Sequence, residues 1–470
     1  MDQTTHVALL PAPGMGHLIP LAEFAKQLVH RHHISSTLIL PTTGPPPKSQ
    51  ISVLESLPRN INHVFLPPIN LPKNLTNAEP QFFVAMSLSL IPSLRNTLKS
   101  LTSTNRMVAL VVDPFGVFGL DTFDVAKEIG VPLYLFYTSN AMTLLFCFHL
   151  PRLDKMVKCE YRDLPEPVKL PGCVPVHGRD FANPVQDRSH IAYKRLLENS
   201  TRFTSYKGII INSFLGLEEG AIEALQVEEL GKPPVYPIGP LIQTGSSDGS
   251  ESSDRPECLK WLDDQPSGSV LFVSFGSGGT LSYDQSNELA LGLEMSGQKF
   301  VWVVRSPSDQ SANAAIFYSE RQTDPNGFLP EGFLERIKGQ GLLVPSWAPQ
   351  IEVLRHDSIG GFLTHCGWNS TLESVFHGIP LIAWPLYAEQ KMNAVMLNEG
   401  LNVALRPKMN ERGIVGREEI ARVVNDLMQG EEGKKSREKM KGLKEAAGKA
   451  LSEGGSSTKA LSELAFKWKT

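Results

Sequence analysis

Short apolar runs, each closed by a turn residue and followed by apolar positions at helical spacing, recur along this chain and set its predicted architecture. The first is His6-Val-Ala-Leu-Leu10, which runs into Pro11-Ala-Pro-Gly-Met-Gly16. Leu18, Leu21, Phe24, Ala25, Leu28 and Val29 then repeat along one helix face. Similar runs lie at 107–112, 131–137 and 208–212, and again at 270–275, 300–304, 342–344, 361–364 and 381–384. Apolar runs alternating with helices predict parallel strands buried on both faces. The fold class is therefore α/β, with two Rossmann-like domains and the active site expected in the cleft between them.

Polar stretches divide that rhythm. Thr244-Gly-Ser-Ser-Asp-Gly-Ser-Glu-Ser-Ser-Asp254 is too poor in apolar residues to join a core and predicts a linker. The expected domains are 1–243 and 257–455, joined by a linker at 244–256 and ending in a helical tail at 456–470. Residues 306–327 interrupt the second half as a surface loop, and the Lys/Glu-rich stretch from Gln429 reads as a helix with a solvated face.

Length and composition narrow the partners. A chain of 470 residues suits two domains of roughly 200 to 250 residues. A net charge of -4 argues against nucleic acid, which selects a basic face. Small molecules are the expected ligands. Five cysteines without a Cys-x-x-Cys pair predict neither a disulfide framework nor a zinc site and fit the cytoplasm. No signal peptide or apolar stretch of roughly 18 residues is found, so no membrane span is expected.

The richest chemistry lies in Gly361-Phe-Leu-Thr-His-Cys-Gly-Trp-Asn-Ser-Thr-Leu-Glu373. A strand, a tight turn of free backbone N–H groups and a helix N-terminus make an anion site. Gly367 would allow close approach, with the helix beginning near Ser370. Ser370-Thr-Leu-Glu373 also reads as a capping box, a purely structural alternative. Phe275-Gly-Ser-Gly-Gly-Thr280 follows a strand too, but it lacks the third glycine of a dinucleotide fingerprint, and no Walker lysine motif occurs. No Asp-x-Asp occurs and the histidines are scattered, so no metal is expected.

A base is also legible. His17 starts the first helix at a sheet edge, where the helix dipole disfavours imidazolium and keeps the ring able to accept a proton. Asp113 ends a strand at the corresponding edge and is placed to fix the tautomer of that ring. A helix-start histidine and a turn-capping aspartate are the alternatives.

From Trp347-Ala-Pro-Gln350 through His365-Cys-Gly-Trp-Asn-Ser370 and Glu373 to Glu389-Gln390, the chain resembles the donor signature of plant UDP-sugar-dependent glycosyltransferases, and the block has that signature's length. The resemblance implies that Trp347 stacks on uracil, Ala348 bonds it through the backbone, and Gln350 and Glu373 hold the ribose. It assigns His365, Asn369, Ser370 and Ser277 to the diphosphate, Trp368 to the sugar, and Glu389 and Gln390 to sugar hydroxyls. Thr138 would reach the donor sugar or phosphate. Gln390 in the last position implies UDP-glucose, the co-substrate in place of any cofactor. A histidine in Pro-x-x-Gly-x-Gly-His and a strand-ending aspartate form the family's catalytic dyad, which implies His17 and Asp113. The implied fold is GT-B, two parallel sheets facing across a cleft.

Pro11–Pro20, Ser274–Thr280, Trp302–Pro307 and Tyr387–Asn393 resemble the hydroquinone glucosyltransferase subgroup, whose members act on small phenols, monolignols and indoxyl. The implied activity is inverting O-glucosylation of a small aromatic acceptor by a monomer. Phe115, Phe118, Phe146 and Ala388 are the acceptor candidates. Two stretches depart from the subgroup, Pro114–Leu120, which is expected near that pocket, and Tyr137-Thr-Ser-Asn140. N- or S-glucosylation and a larger flavonoid or monolignol acceptor remain open. A retaining glycosidase or a non-catalytic UDP-sugar binder is the remoter reading.

Overall fold

The computed structural model describes residues 4–42, 44–68, 80–114, 122–227, 232–243, 255–309 and 327–470, with backbone only for 80–88. Phe115 and Phe118, most of the expected linker and most of the 306–327 loop lie outside the described residues. The chain divides into two compact units. One comprises residues 1–179, 184–243 and 448–470, and the other 180–183 and 244–447.

In the first unit, β1 (Thr5–Leu10), β2 (Ser35–Leu40), β3 (Ile61–Phe65), β4 (Arg106–Val112), β5 (Leu133–Tyr137), β6 (Ile209–Ile211) and β7 (Val235–Pro237) form a sheet ordered β3-β2-β1-β4-β5-β6-β7. Every pairing is parallel. In the second, β8 (Val270–Ser274), β9 (Lys299–Val304), β10 (Gly341–Pro345), β11 (Ile359–Thr364), β12 (Leu381–Ala383) and β13 (Ala404–Leu405) are ordered β10-β9-β8-β11-β12-β13, again all parallel. These are the two Rossmann-like sheets expected from the apolar runs. Parallel strands need both faces covered, and β1, β5, β8 and β11 are accordingly buried along most or all of their length.

In each sheet the strand order reverses once, between β1 and β4 and between β8 and β11. Chain leaving the carboxyl ends of neighbouring strands there diverges to opposite faces and opens a crevice, the usual ligand position in open α/β sheets. The histidine of each half follows one strand of such a pair.

The last helix, Ser456–Lys469, closes the first unit's core. Leu461, Leu464, Ala465 and Trp468 join Phe24 and Tyr134 in one buried cluster. Trp468 meets Tyr134 edge-on at 5.3 Å and Phe24 at 6.3 Å between ring centres. Burying Leu461 and Leu464 contributes roughly 1.5–3 kcal/mol each, so this tail is an integral part of the first core.

Candidate active site

The turn after β1 needs glycine at one point: Gly14 has φ 114°, and the helix Met15–His32 starts immediately after it. His17 lies in the first turn of that helix, its N–H bonded to the Gly14 carbonyl at 3.2 Å. Asp113 directly follows β4, its N–H donating to the Leu10 carbonyl at 3.1 Å, which ties the two strand ends together. The His17 Nδ1 and Asp113 Oδ2 atoms are 2.7 Å apart. In the tautomer whose Nδ1–H donates to that carboxylate oxygen, Nε2 is the basic ring nitrogen. Asp113 is fully buried, whereas the His17 side chain is 28% exposed. A buried anchor holds a ring that a ligand can reach.

Thr138, at the end of β5, has its hydroxyl oxygen 3.3 Å from His17 Nδ1. That places it beside the dyad within the first unit. The next turn is secured by Asn140, whose side chain caps the helix Ala141–Met156 through Thr143 N–H at 2.8 Å. Glu218 is buried below the same helix start, where its carboxylate accepts from the N–H groups of Ala141 and Met142 at 2.9 and 3.0 Å. A break in the helix Leu215–Gln226 at Glu218 marks the spot, and sequence reading missed it because the residue looks like one more helix-surface acid. Phe146 is buried in the helix Ala141–Met156.

In the second unit, the helix Trp368–His377 begins two residues before Ser370, with Gly367 as its N-cap and no side-chain cap. The capping-box reading therefore falls. Ser370 and Glu373 sit one turn apart on a single helix face and both bond Gln350, whose Nε2 donates to Ser370 Oγ at 2.9 Å and to Glu373 Oε2 at 2.6 Å. Burial pushes the Glu373 carboxyl up to about 7, only partly opposed by the Gln350 bond. Trp347, assigned to base stacking, is 67% exposed, while Ala348 is buried. Such an indole face has area to offer a flat base.

His365 follows β11 and is buried. A Cβ at Gly276 would lie 2.4 Å from His365 Cε1, and one at Gly367 would lie 2.4 Å from Nε2. The imidazole thus occupies the space that two glycines leave open. Burial first, and the Arg305 charge second, lower its pKa to about 4, so the ring is neutral near pH 7. A neutral imidazole can donate one N–H to an anion without carrying charge.

Arg305 is the residue that sequence reading left without a role. Directly after β9, its guanidinium donates to the Gly276 carbonyl and, from Nε and Nη2, to the Ser346 carbonyl at 3.1 and 2.9 Å. It joins the turn after β8 to the turn before Trp347. The legible signal was an arginine at the carboxyl end of a buried strand, where sheet edges carry ligand sites. Ser277 is exposed in the Gly276 turn, Asn369 is half-buried, and Trp368 is buried. Gln390 accepts at Oε1 from the N–H groups of Leu386 and Tyr387, at 2.8 and 2.9 Å. Glu389 is half-buried at the N-cap of the helix Gln390–Val395, and Ala388 before it has φ 53°. Among the described residues, no group of three or more His, Cys, Asp or Glu is placed to hold a metal.

Two all-parallel sheets, each with a strand-turn-helix at the reversal of its strand order, suit an enzyme that takes a nucleotide ligand. The family model for UDP-glucoronosyl and UDP-glucosyl transferases matches residues 241–436. The chain belongs to that family and is a UDP-glycosyltransferase, with a UDP-sugar as co-substrate. It is 60% identical to a hydroquinone glucosyltransferase of Rauvolfia serpentina, over 100% of this chain and 98% of the relative. With UDP-glycosyltransferase 72B1 of Arabidopsis thaliana it shares 57%, over 100% and 97%. Among solved structures, it matches a Polygonum tinctorium UDP-glucosyltransferase capable of glucosylating indoxyl, complexed with 3,4-dichloroaniline. That match has a TM-score of 0.90 and 54% identity, over 100% of both chains. The Phytolacca americana UGT2 complexed with UDP-2-fluoro-glucose and pterostilbene matches with a TM-score of 0.89 and 54% identity, again over 100% of both. The GT-B fold implied by the sequence is the fold of these neighbours.

Proposed function

We propose that this enzyme transfers glucose from UDP-glucose to the hydroxyl of a small aromatic acceptor and inverts the anomeric centre. The observation that carries the reading is the 2.7 Å bond from His17 Nδ1 to the buried Asp113, which leaves Nε2 to take the acceptor proton. As that proton moves to Nε2, the acceptor oxygen bonds to the anomeric carbon and the bond to UDP breaks. One displacement turns an α-linked donor into a β-glucoside. Asp113 stabilises the imidazolium that forms.

The departing diphosphate is met by His365, Asn369, Ser370 and Ser277, with the helix N-terminus at Trp368 adding its partial positive charge. Gln350 and Glu373 take the ribose, Trp347 and Ala348 the uracil, and Trp368, Glu389 and Gln390 the glucose. Thr138 acts beside His17, where its hydroxyl lies close to Nδ1. Phe146 and Ala388 are the described candidates for acceptor contact, and the free cysteines fit a cytosolic enzyme.

A phenol suits this base because its proton is acidic, with a pKa near 10 for the phenol of tyrosine, so a neutral imidazole assists its ionisation. The relatives named for hydroquinone and indoxyl support small aromatic acceptors, and the dichloroaniline complex favours N-glucosylation as a second activity. UDP release and product mass with UDP-glucose, tested on hydroquinone, indoxyl, coniferyl alcohol, a flavonol and 3,4-dichloroaniline, decide the matter. Acceptor-dependent UDP with a glucose-sized mass gain is expected. UDP-glucose binding without turnover on any acceptor would overturn the reading.

A further inference from the structure

The loop Leu386–Glu389 is gripped from a distant part of the chain. Residues 180–183 belong to the second unit although 179 and 184 on either side belong to the first. Arg406, just past β13, donates from Nη2 to Asp180 Oδ1 at 2.7 Å, and both side chains are largely shielded. Three residues on, the Asn183 N–H donates to the Ala388 carbonyl at 2.8 Å. Phe181 and Ala182, between these anchors, are buried.

Ala388 is a non-glycine residue at φ 53°, a backbone state that side-chain sterics disfavour and that persists where surrounding bonds hold it. The bond from Asn183 falls on the Ala388 carbonyl and so orients the peptide leading into Glu389. Gln390 ties the start of the loop by accepting from Leu386 and Tyr387 N–H. The loop is clamped between its own amide and the 180–183 segment.

We propose that Asp180–Asn183 is a positioning strap: Asp180, through Arg406, and Asn183, through Ala388, set the backbone from which Glu389 and Gln390 reach the glucose hydroxyls. The strap governs recognition of the donor's sugar without touching it. This rests on the assignment of Glu389 and Gln390 to the sugar.

The full-length enzyme is titrated calorimetrically with UDP and with UDP-glucose. Asp180→Asn weakens UDP-glucose about fivefold, as expected for loss of one partly shielded ion pair, and leaves UDP unchanged. Arg406→Gln, which cuts the pair from the other end, shows the same selectivity, and Asp180→Glu restores part of the loss. UDP affinity reports that each variant is folded. A parallel loss of UDP and UDP-glucose makes the segment a general scaffold and overturns the proposal, as does no change in either. Gln390→Ala separates the two levels. If it spares UDP-glucose binding, the sugar assignment fails and the strap with it; if it weakens UDP-glucose alone while Asp180→Asn does not, only the strap is refuted.

Discussion

The strand-turn-helix unit after β1 and the one after β11 each carry a histidine, His17 in the first turn of its helix and His365 directly after its strand, and leave the two rings in opposite conditions. His17 stays reachable and bonds a buried carboxylate, whereas His365 is buried over two glycines with a guanidinium nearby and a pKa of about 4. Each lies at the reversal of its sheet, so position in the fold does not distinguish them. The end of the neighbouring strand does. Asp113 follows β4 beside β1, while Gly276 lies just past β8 beside β11. On the proposed mechanism, a carboxylate partner on Nδ1 makes a proton acceptor of the other ring nitrogen, and a glycine cradle with an arginine makes a neutral donor.

Removing the ring that has the carboxylate should have the largest effect. His17→Ala is expected to lower kcat/KM about 10³-fold, the usual scale of a lost general base, with UDP affinity unchanged by calorimetry. Near-normal turnover would end the assignment. Asp113→Asn should cost about 10²-fold in kcat, because an amide can donate to Nδ1 and so move the ring proton onto Nε2. Raising the pH should not recover the loss, and steady-state rates across pH 6 to 9 would show whether it does.

The cradle is tested next. Gly276→Ala puts a Cβ 2.4 Å from His365 Cε1 at a backbone φ of +73°. UDP affinity should fall roughly tenfold, which corresponds to about 1.4 kcal/mol. An unchanged Kd would mean that the His365 ring does not face the diphosphate. The smallest effect concerns Glu373, whose carboxyl is held at about 7 in the free enzyme. Ribose hydroxyls donating to it favour the charged form and lower its pKa in the complex. Binding should then release part of a proton near pH 6, and UDP affinity should rise with pH up to about 7 and level off above it. Calorimetry in two buffers of different ionisation heat measures the release, and Glu373→Gln should abolish it.

Much of the scaffold was legible because buried parallel strands must be apolar on both faces. The runs at 107–112, 270–275 and 361–364 correspond to β4, β8 and β11 within a residue or two at their ends. Other strands were hidden for local reasons. In β2, Ser35 and Thr37 interrupt the apolar run, and their hydroxyls bond the two ring nitrogens of buried His6 at 2.7 and 2.8 Å. In β3, an edge strand, most residues face solvent, and β7 and β13 are only three and two residues long. Helicity of the last segment could be read from its pattern; its docking onto Phe24 and Tyr134 could not, since an apolar face does not name what covers it.

By itself, the sequence determined the central strands of both sheets, the family and the candidate site residues, because periodicity and motif are local properties of a chain. Only the tertiary structure decided what each residue does with its neighbours. It put Ser370 and Glu373 on Gln350 in place of a helix cap, set Arg305 between two turns, and brought Asp180 to Arg406. The partner of a buried polar group is fixed by strand order and packing, and those join residues that the sequence keeps far apart.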